Sequence, residues 1–392
     1  MIGCGQPHPY TPPQSLATQG LIEVSNQPQH DRQDDDRLAI NPHLELHNRI
    51  VLLTDGYSTP FLAKTAISML RYRTGDVVAL IDQTTDAKTT GELFGVGGDI
   101  PVVGSLAEVT EPDAVYIGIA PPGGRLPKAW RPVILQALNQ GIDVVSGLHD
   151  FLTDDEEYVA LAEKSQCRLV DVRRNHFKLT AIGRTFRPGC IRIHSVGHDC
   201  SIGKMVASVE VCNGLVAAGH DAKFLATGQT GIMISGEGVP IDCVVSDFVN
   251  GAAEQLVYEN ESHDFVLIEG QGSITHPAYS AVTLGLLHGS APDGLIYVYE
   301  AGRTMVKGFD DIAIPDMKRQ LDFFLTAANF RHPCRLIGVA INSRTLSAEE
   351  SAAEVRRAEE MFGVPACDVY RDGSSKLVQA SIELRRSIVG DE

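Results

Sequence analysis

The chain is short of cationic residues, aromatic residues and long apolar runs, and each shortage removes a class of function. Lysine and arginine total 33 against 50 aspartates and glutamates, a formal net charge of −17. So acidic an exterior repels nucleic-acid phosphates and anionic membrane surfaces, so any anion must be held in a local cradle. No apolar stretch reaches the roughly 18 residues of a membrane span. The opening MIGCGQPHPYTPPQ has neither the basic start nor the apolar run of about 7 to 15 residues that marks a secretory signal. The eight cysteines (Cys4, Cys167, Cys190, Cys200, Cys212, Cys243, Cys334 and Cys367) form no C-x-x-C pair and no zinc-type cluster with histidine. The expectation is a cytoplasmic protein with reduced thiols and no metal, acting on a small molecule rather than on nucleic acid or membrane, and assembled as a homo-oligomer. Aromatics are 6% of the residues and the 37 glycines follow no period, which excludes a collagen-like chain, while an apolar fraction of 43% excludes a mostly disordered one.

What is present is a long alternation of short β-branched runs and amphipathic segments. At 392 residues the chain suits two domains rather than one core. Residues 1–46, with PHP, PP and the charged run DRQDDDR, have no period able to bury a face and read as a flexible arm. RIVLLTD (49–55), DVVALID (76–82), AVYIGIA (114–120), DVVSGL (143–148) and the short RLVDVR then read as strands separated by helices, a parallel α/β sheet over 47–175. NHFKLTAIGRTFRPG reads as a linker, placed at 176–190. A second series follows over 191–392, with strands IRIHSVG (191–197), AKFLATG (222–228), DFVLIEG (264–270), GLIYVYE (294–300) and RLIGVAIN (335–342). The fold class is α/β, in two domains that each have a mostly parallel sheet with flanking helices.

Between the first strand of the second series and its helix lies GHDCSIGKM, comprising Gly197, His198, Asp199, Cys200, Ser201, Ile202, Gly203, Lys204 and Met205. A glycine-rich turn at a helix start leaves backbone amides unpaired and converging, and the helix dipole adds positive charge there. A phosphate fits such a cradle, with Lys204 reaching its outer oxygens. The spacing is one residue longer than G-x-x-x-x-G-K-S/T, and Met205 replaces the hydroxyl that would hold magnesium. In the first domain Asp82 ends the second strand as a ribose-binding acid would. Only Gly56 occupies the turn where G-x-G-x-x-G would be needed, so an NAD site is not expected.

GHDCSIGK resembles the G-T-D-x-x-V-G-K loop of dethiobiotin synthetase and related P-loop proteins. DFVLIEGQGS (264–273) is similar to their V-E-G-A-G-G strand end, which places Glu269 at a carboxyl edge facing the loop. GVAINS (338–343) is similar to the strand whose asparagine, here Asn342, helps recognise adenine in that family. The longer combination of GHDCSIGKM, GQTGIMISGEGVPIDCVVSDFVNGAAEQL and EGQGSITHPAYSAVTLGLLHGSAPDGL resembles a domain-of-unknown-function family, and its pattern spans roughly 48–387. That family couples a Rossmann-like domain to a P-loop NTPase-like domain, and its characterised members are D-glutamate N-acetyltransferases.

The resemblance implies an N-acetyltransferase acting on a D-glutamate-like amino acid, with acetyl-CoA phosphates on the loop. Coenzyme phosphates need a cradle but no hydrolysis, so the missing hydroxyl at Met205 matters less than for ATP chemistry. Acyl transfer needs a base, a polarised carbonyl and a recess for carboxylates. Glu269 and His276 are candidates for base or relay, and Arg303 for a carboxylate clamp. Gln229 and Thr230 follow a strand at the edge where ligands collect. Two alternatives stay open from the residues alone: an ATP-dependent ligase or kinase of the dethiobiotin synthetase type, with magnesium held by groups such as Glu269, and a non-enzymatic nucleotide-binding protein.

Overall fold

The computed structural model describes Leu44 and residues 47–390. Apart from Leu44, the arm expected over 1–46 lies outside the described residues, as does Cys4. The chain builds two six-stranded sheets in succession, both wholly parallel.

The first sheet contains β1 (Ile50–Leu53), β2 (Val77–Ile81), β3 (Val102–Val103), β4 (Ala114–Ile117), β5 (Asp143–Ser146) and β6 (Leu169–Asp171), in the order β3-β2-β1-β4-β5-β6. Its helices are α1 (Lys64–Tyr72), α2 (Thr90–Phe94), α3 (Arg131–Asn139) and α4 (Glu156–Ser165). β1, β4 and β5 are buried at every position, as strands covered on both faces must be. Asp155 caps α4, accepting from the amides of Glu157 and Tyr158 at 3.1 Å each, and so satisfies two of that helix's orphan donors.

The second sheet contains β7 (Ile191–Gly197), β8 (Ala222–Leu225), β9 (Phe265–Ile268), β10 (Gly294–Glu300), β11 (Arg335–Asn342) and β12 (Ala366–Cys367), in the order β12-β11-β10-β7-β9-β8. Around it pack α5 (Lys204–Ala217), α6 (Gln229–Ser235), α7 (Val249–Asn260), α8 (Ser280–Ser290), α9 (Met317–Asn329), α10 (Ala348–Phe362) and α11 (Ser375–Val389). The crossover from β7 runs toward one edge and that from β9 toward the other. β7 therefore sits at the point of reversal, where ligands of open α/β sheets collect.

Residues 173–190 contain neither helix nor strand, and they lie along α7. Glu254 accepts from the amides of Ile182 and Arg184 at 2.9 and 2.8 Å, and Glu261 from that of Arg187 at 2.7 Å. The two sheets also share a hydrophobic cluster, in which Ala66, Met69 and Leu70 of α1 pack with Ala226, Ile232 and Met233 around α6. Among the described residues the seven cysteines are all free, and no helix is long and apolar enough to cross a membrane.

Candidate functional site: a phosphate loop against an interdomain seam

The loop at the end of β7 is shaped by two glycines. At Gly197 an added Cβ would press into the Val298 carbonyl of the neighbouring strand β10, so only glycine permits that approach. Gly203 has φ of 111° and Ser201 a φ of 54°, left-handed turns that bend successive amides inward as an anion nest does. No side chain caps α5 among the described residues, so its first-turn amides open onto the loop. Ile202 is fully buried in the core beneath and pins the loop to the sheet.

Beneath the loop, Asp199 is the organising charge, itself fully buried. Its Oδ1 accepts from the Cys200 amide at 2.7 Å, and its Oδ2 from the Arg303 guanidinium at 2.9 Å and the Lys307 amide at 2.8 Å. Arg303 also donates to the Cys200 carbonyl at 2.9 Å and pairs with Glu300, which pairs in turn with Arg344 at 2.7 Å. His198 accepts from the Glu300 amide at 3.1 Å, and burial pushes its imidazole down to about 3, so it stays neutral. Lys204 donates from Nζ to the Asp199 carbonyl at 2.7 Å. Burial lowers its ammonium to about 8, opposed by the charges of Cys200, Asp199 and Glu269.

Glu269 directly follows β9 and is only 4% exposed. Its Oε2 accepts from the amides of Thr227 and Gly228 at 2.8 and 3.1 Å, while the Thr227 hydroxyl donates to the Glu269 carbonyl at 2.6 Å. Those bonds favour the carboxylate, but burial outweighs them and pushes the acid up to about 7. A carboxyl that exchanges its proton near neutrality is what a general base requires. The structure thus brings Glu269 and the loop together, as expected from the sequence.

Two other candidates are placed differently from their expected roles. His276 uses both ring nitrogens on backbone: Nε2 donates to the Lys307 carbonyl at 3.1 Å, and Nδ1 accepts from the Ala278 amide at 3.1 Å. Stacked on Tyr279 at 4.4 Å, it holds the 304–309 loop and has no nitrogen left for a proton relay. Arg303 lies at the site, but its fork is spent on Asp199, Cys200 and Glu300, so it braces the loop rather than waiting for a carboxylate. Asn342 donates to the Ile202 carbonyl at 3.2 Å and supports the loop from β11. Gln229 opens α6 and is buried, with Oε1 lacking any hydrogen-bond partner.

The ligating atoms of Asp199, Cys200 and His276 lie within 4.8 Å of one another. The Asp199 oxygens and the His276 nitrogens are already hydrogen-bonded within the protein, and Arg303 and Lys204 both donate to Asp199.

In the first domain Asp82 is held by its own turn through one oxygen, while its Oδ2 has no hydrogen-bond partner among the described residues. Asp82 spends Oδ1 on the amides of Gly56 at 3.2 Å and Thr84 at 2.8 Å, tying down the β1–α1 turn. Trp130 donates to the Asp55 carbonyl at 3.0 Å and meets Tyr57 edge-on at 5.5 Å, so aromatic rings occupy the place beside that turn. What the first domain brings to the loop is the start of α1. Lys64 stands in electrostatic contact with Cys200 and Glu269, and Lys307 lies over the Phe61 ring at 4.1 Å. The sequence carried no signal for either lysine, because neither belongs to a local motif: the packing of the two domains brings Lys64 near the loop, and the fold of the second domain brings Lys307, whose amide donates to Asp199.

Comparison with known proteins agrees with this architecture. Residues 83–175 match the Rossmann-like domain of unknown function DUF1611_N, and residues 179–378 match the P-loop domain DUF1611_C. A protein of Pseudoalteromonas sp named D-glutamate N-acetyltransferase is 40% identical over 67% of this chain and 79% of its own length. One of the same name from Tritonibacter scottomollicae is 36% identical over 81% of this chain and 93% of its own length. The crystal structure of a DUF1611 family protein from Anabaena variabilis ATCC 29413 superposes with a TM-score of 0.80 at 34% identity, covering 86% of this chain and 99% of that one. With matches to both domains and relatives covered over most of their length, the chain belongs to the DUF1611 family, a Rossmann-like domain followed by a P-loop domain.

Proposed function

We propose that the protein is an N-acetyltransferase that moves the acetyl group of acetyl-CoA to the amine of an acidic D-amino acid such as D-glutamate. The observation that carries this reading is the juxtaposition of Glu269, with its carboxyl raised to about 7, and a phosphate loop that has Met205 where a magnesium-holding hydroxyl would stand. Two relatives at 40% and 36% identity named D-glutamate N-acetyltransferase support acetyl transfer and the acceptor chosen.

The residues fit the coenzyme's phosphates: left-handed turns at Ser201 and Gly203, an uncapped helix start, and a buried Lys204 ammonium at the first position of α5. The coenzyme supplies an acetyl thioester. Glu269 takes one proton from the acceptor's ammonium, the freed nitrogen forms a C–N bond to the acetyl carbonyl as the C–S bond breaks, and the second proton that the nitrogen sheds goes to the departing sulfur, which leaves as a thiol. Asp199, Arg303 and Glu300 keep the loop rigid, so no reorganisation of the cradle accompanies binding.

Ligand-dependent thermal stability tests this assignment. Acetyl-CoA raises the Tm of the wild type, and Lys204→Ala removes most of that rise, since only ligands that bind the folded state stabilise it. Stabilisation by ATP with magnesium but not by acetyl-CoA would overturn the reading in favour of a ligase or kinase.

A further inference from the structure

Helix α1 belongs to the first sheet by sequence but is fastened to the second along its length. The Thr65 hydroxyl meets that of Thr230 at 3.0 Å, Tyr72 donates to Glu210 at 2.8 Å, Arg73 donates to the Met233 carbonyl at 3.2 Å, and Arg71 stacks on Tyr370 at 4.0 Å. Its first residue, Lys64, is thereby held in the seam as a fixed group rather than a waving surface lysine.

The charges around Lys64 are unbalanced. Burial and the nearby Arg173 and Lys307 push its ammonium down, opposed by Cys200 and Glu269. Arg173 has its own partner in Asp242 at 2.9 Å, and Arg303 has Asp199 at 2.9 Å. Among the described residues neither Lys64 nor Lys307 forms an ion pair, and Lys307 rests on the Phe61 ring. A chain with 50 acidic residues against 33 basic ones has no shortage of carboxylates with which to neutralise two neighbouring ammoniums. Leaving them bare costs stability through mutual repulsion, and such a cost is retained where an anion from outside is to be bound. A second unsatisfied group shares the seam: Gln229, only 6% exposed, lies against the bare backbone of Gly147 with its Oε1 unpaired.

We infer that Lys64, assisted by Lys307, binds a carboxylate of the acceptor amino acid, so that the first domain contributes the acceptor site of a reaction whose coenzyme cradle lies in the second. The inference rests on the acyl-transfer reading with Glu269 as base. An acceptor amine at Glu269 has its carboxylates only a few bonds away, and Lys64 is near enough to that glutamate to feel its charge. The coenzyme phosphates fall instead to Lys204 and the loop amides.

Steady-state rates on the full-length protein, varying D-glutamate and acetyl-CoA separately, test this with Lys64→Met and Lys64→Arg. Losing one charge-assisted contact raises the KM for D-glutamate about ten- to hundredfold in Lys64→Met, with the KM for acetyl-CoA and kcat little changed. Lys64→Arg recovers most of the loss, which a merely structural role for the side chain would not predict. An unchanged KM for D-glutamate, or a rise confined to acetyl-CoA, overturns the inference. Calorimetric titration of D-glutamate into each protein without coenzyme separates the two claims. Binding that is lost in Lys64→Met supports the acceptor site even if the wild type transfers no acetyl group, and binding that persists unchanged contradicts it.

Discussion

At the scale of single residues, burial pushes three groups of the site, Glu269, Lys204 and His198, toward their uncharged forms. Glu269 is raised to about 7 by burial, so the rate of transfer rises with pH as it loses its proton near that value. Glu269→Gln flattens this limb and lowers kcat by about 10²- to 10⁴-fold, as read from a pH–rate profile. The same shift makes a stability statement. The folded acid titrates above the ordinary 4.5, so its contribution is fully present below pH 4.5 and is lost as pH rises through 7. Denaturant unfolding at pH 5 and 8 therefore shows a slope that Glu269→Gln removes, worth about 3 kcal/mol. Lys204 runs the other way. Its ammonium sits at about 8, and a bound phosphate restores it toward the usual range. Binding of coenzyme A at about pH 9 therefore takes up a proton, which calorimetry in buffers of different ionisation heat detects, and Lys204→Met abolishes the uptake.

Among the elements, β7 and its loop carry most of the specification. Gly197→Ala drives a methyl into the Val298 carbonyl of β10, and overpacking of that kind costs about 1–3 kcal/mol, seen as a lowered Tm together with weakened coenzyme binding. How far elements could be read from the sequence followed their physics. Ten strands and the long amphipathic helices announced themselves by period, because each buries one face or both. Helix α8 did not: Thr283, Gly285, Leu286, Leu287, Gly289 and Ser290 are all buried, apolar and small residues run around its circumference, and no stripe forms. Helix α6 has seven residues including Gly231, too few for a period. β3 and β12 are two-residue edge strands defined by their neighbours' hydrogen bonds rather than by their own pattern. Helix α11 does carry a readable stripe in Leu377, Val378, Ala380 and Leu384, although the expected elements stop short of it. At the site, the loop and Glu269 were legible because a motif fixes them locally. The saturation of His276 and Arg303 was not, because their partners Lys307, Asp199 and Glu300 are set by tertiary packing.

Taken whole, the molecule joins two sheets through α1, whose contacts with Thr230, Glu210, Met233 and Tyr370 hold the first domain against the second. Tyr72→Phe removes the bond to Glu210 and costs about 1 kcal/mol of stability, with a larger fractional effect on acceptor than on coenzyme binding because the helix start carries Lys64. The first domain keeps the strand order of a dinucleotide fold, and Asp82, Tyr57 and Trp130 make contacts within and beside its first turn. The central claim is acetyl transfer without nucleotide hydrolysis, and the most direct measurement is product stoichiometry. Purified protein, acetyl-CoA and D-glutamate are incubated with a metal chelator and no ATP, and the free thiol and acetylated amino acid are quantified together by mass spectrometry. The account predicts equal amounts of coenzyme A and N-acetyl-D-glutamate, formed by the wild type and not by Glu269→Gln. Product that appears only when ATP and magnesium are supplied, accompanied by ADP, would contradict it.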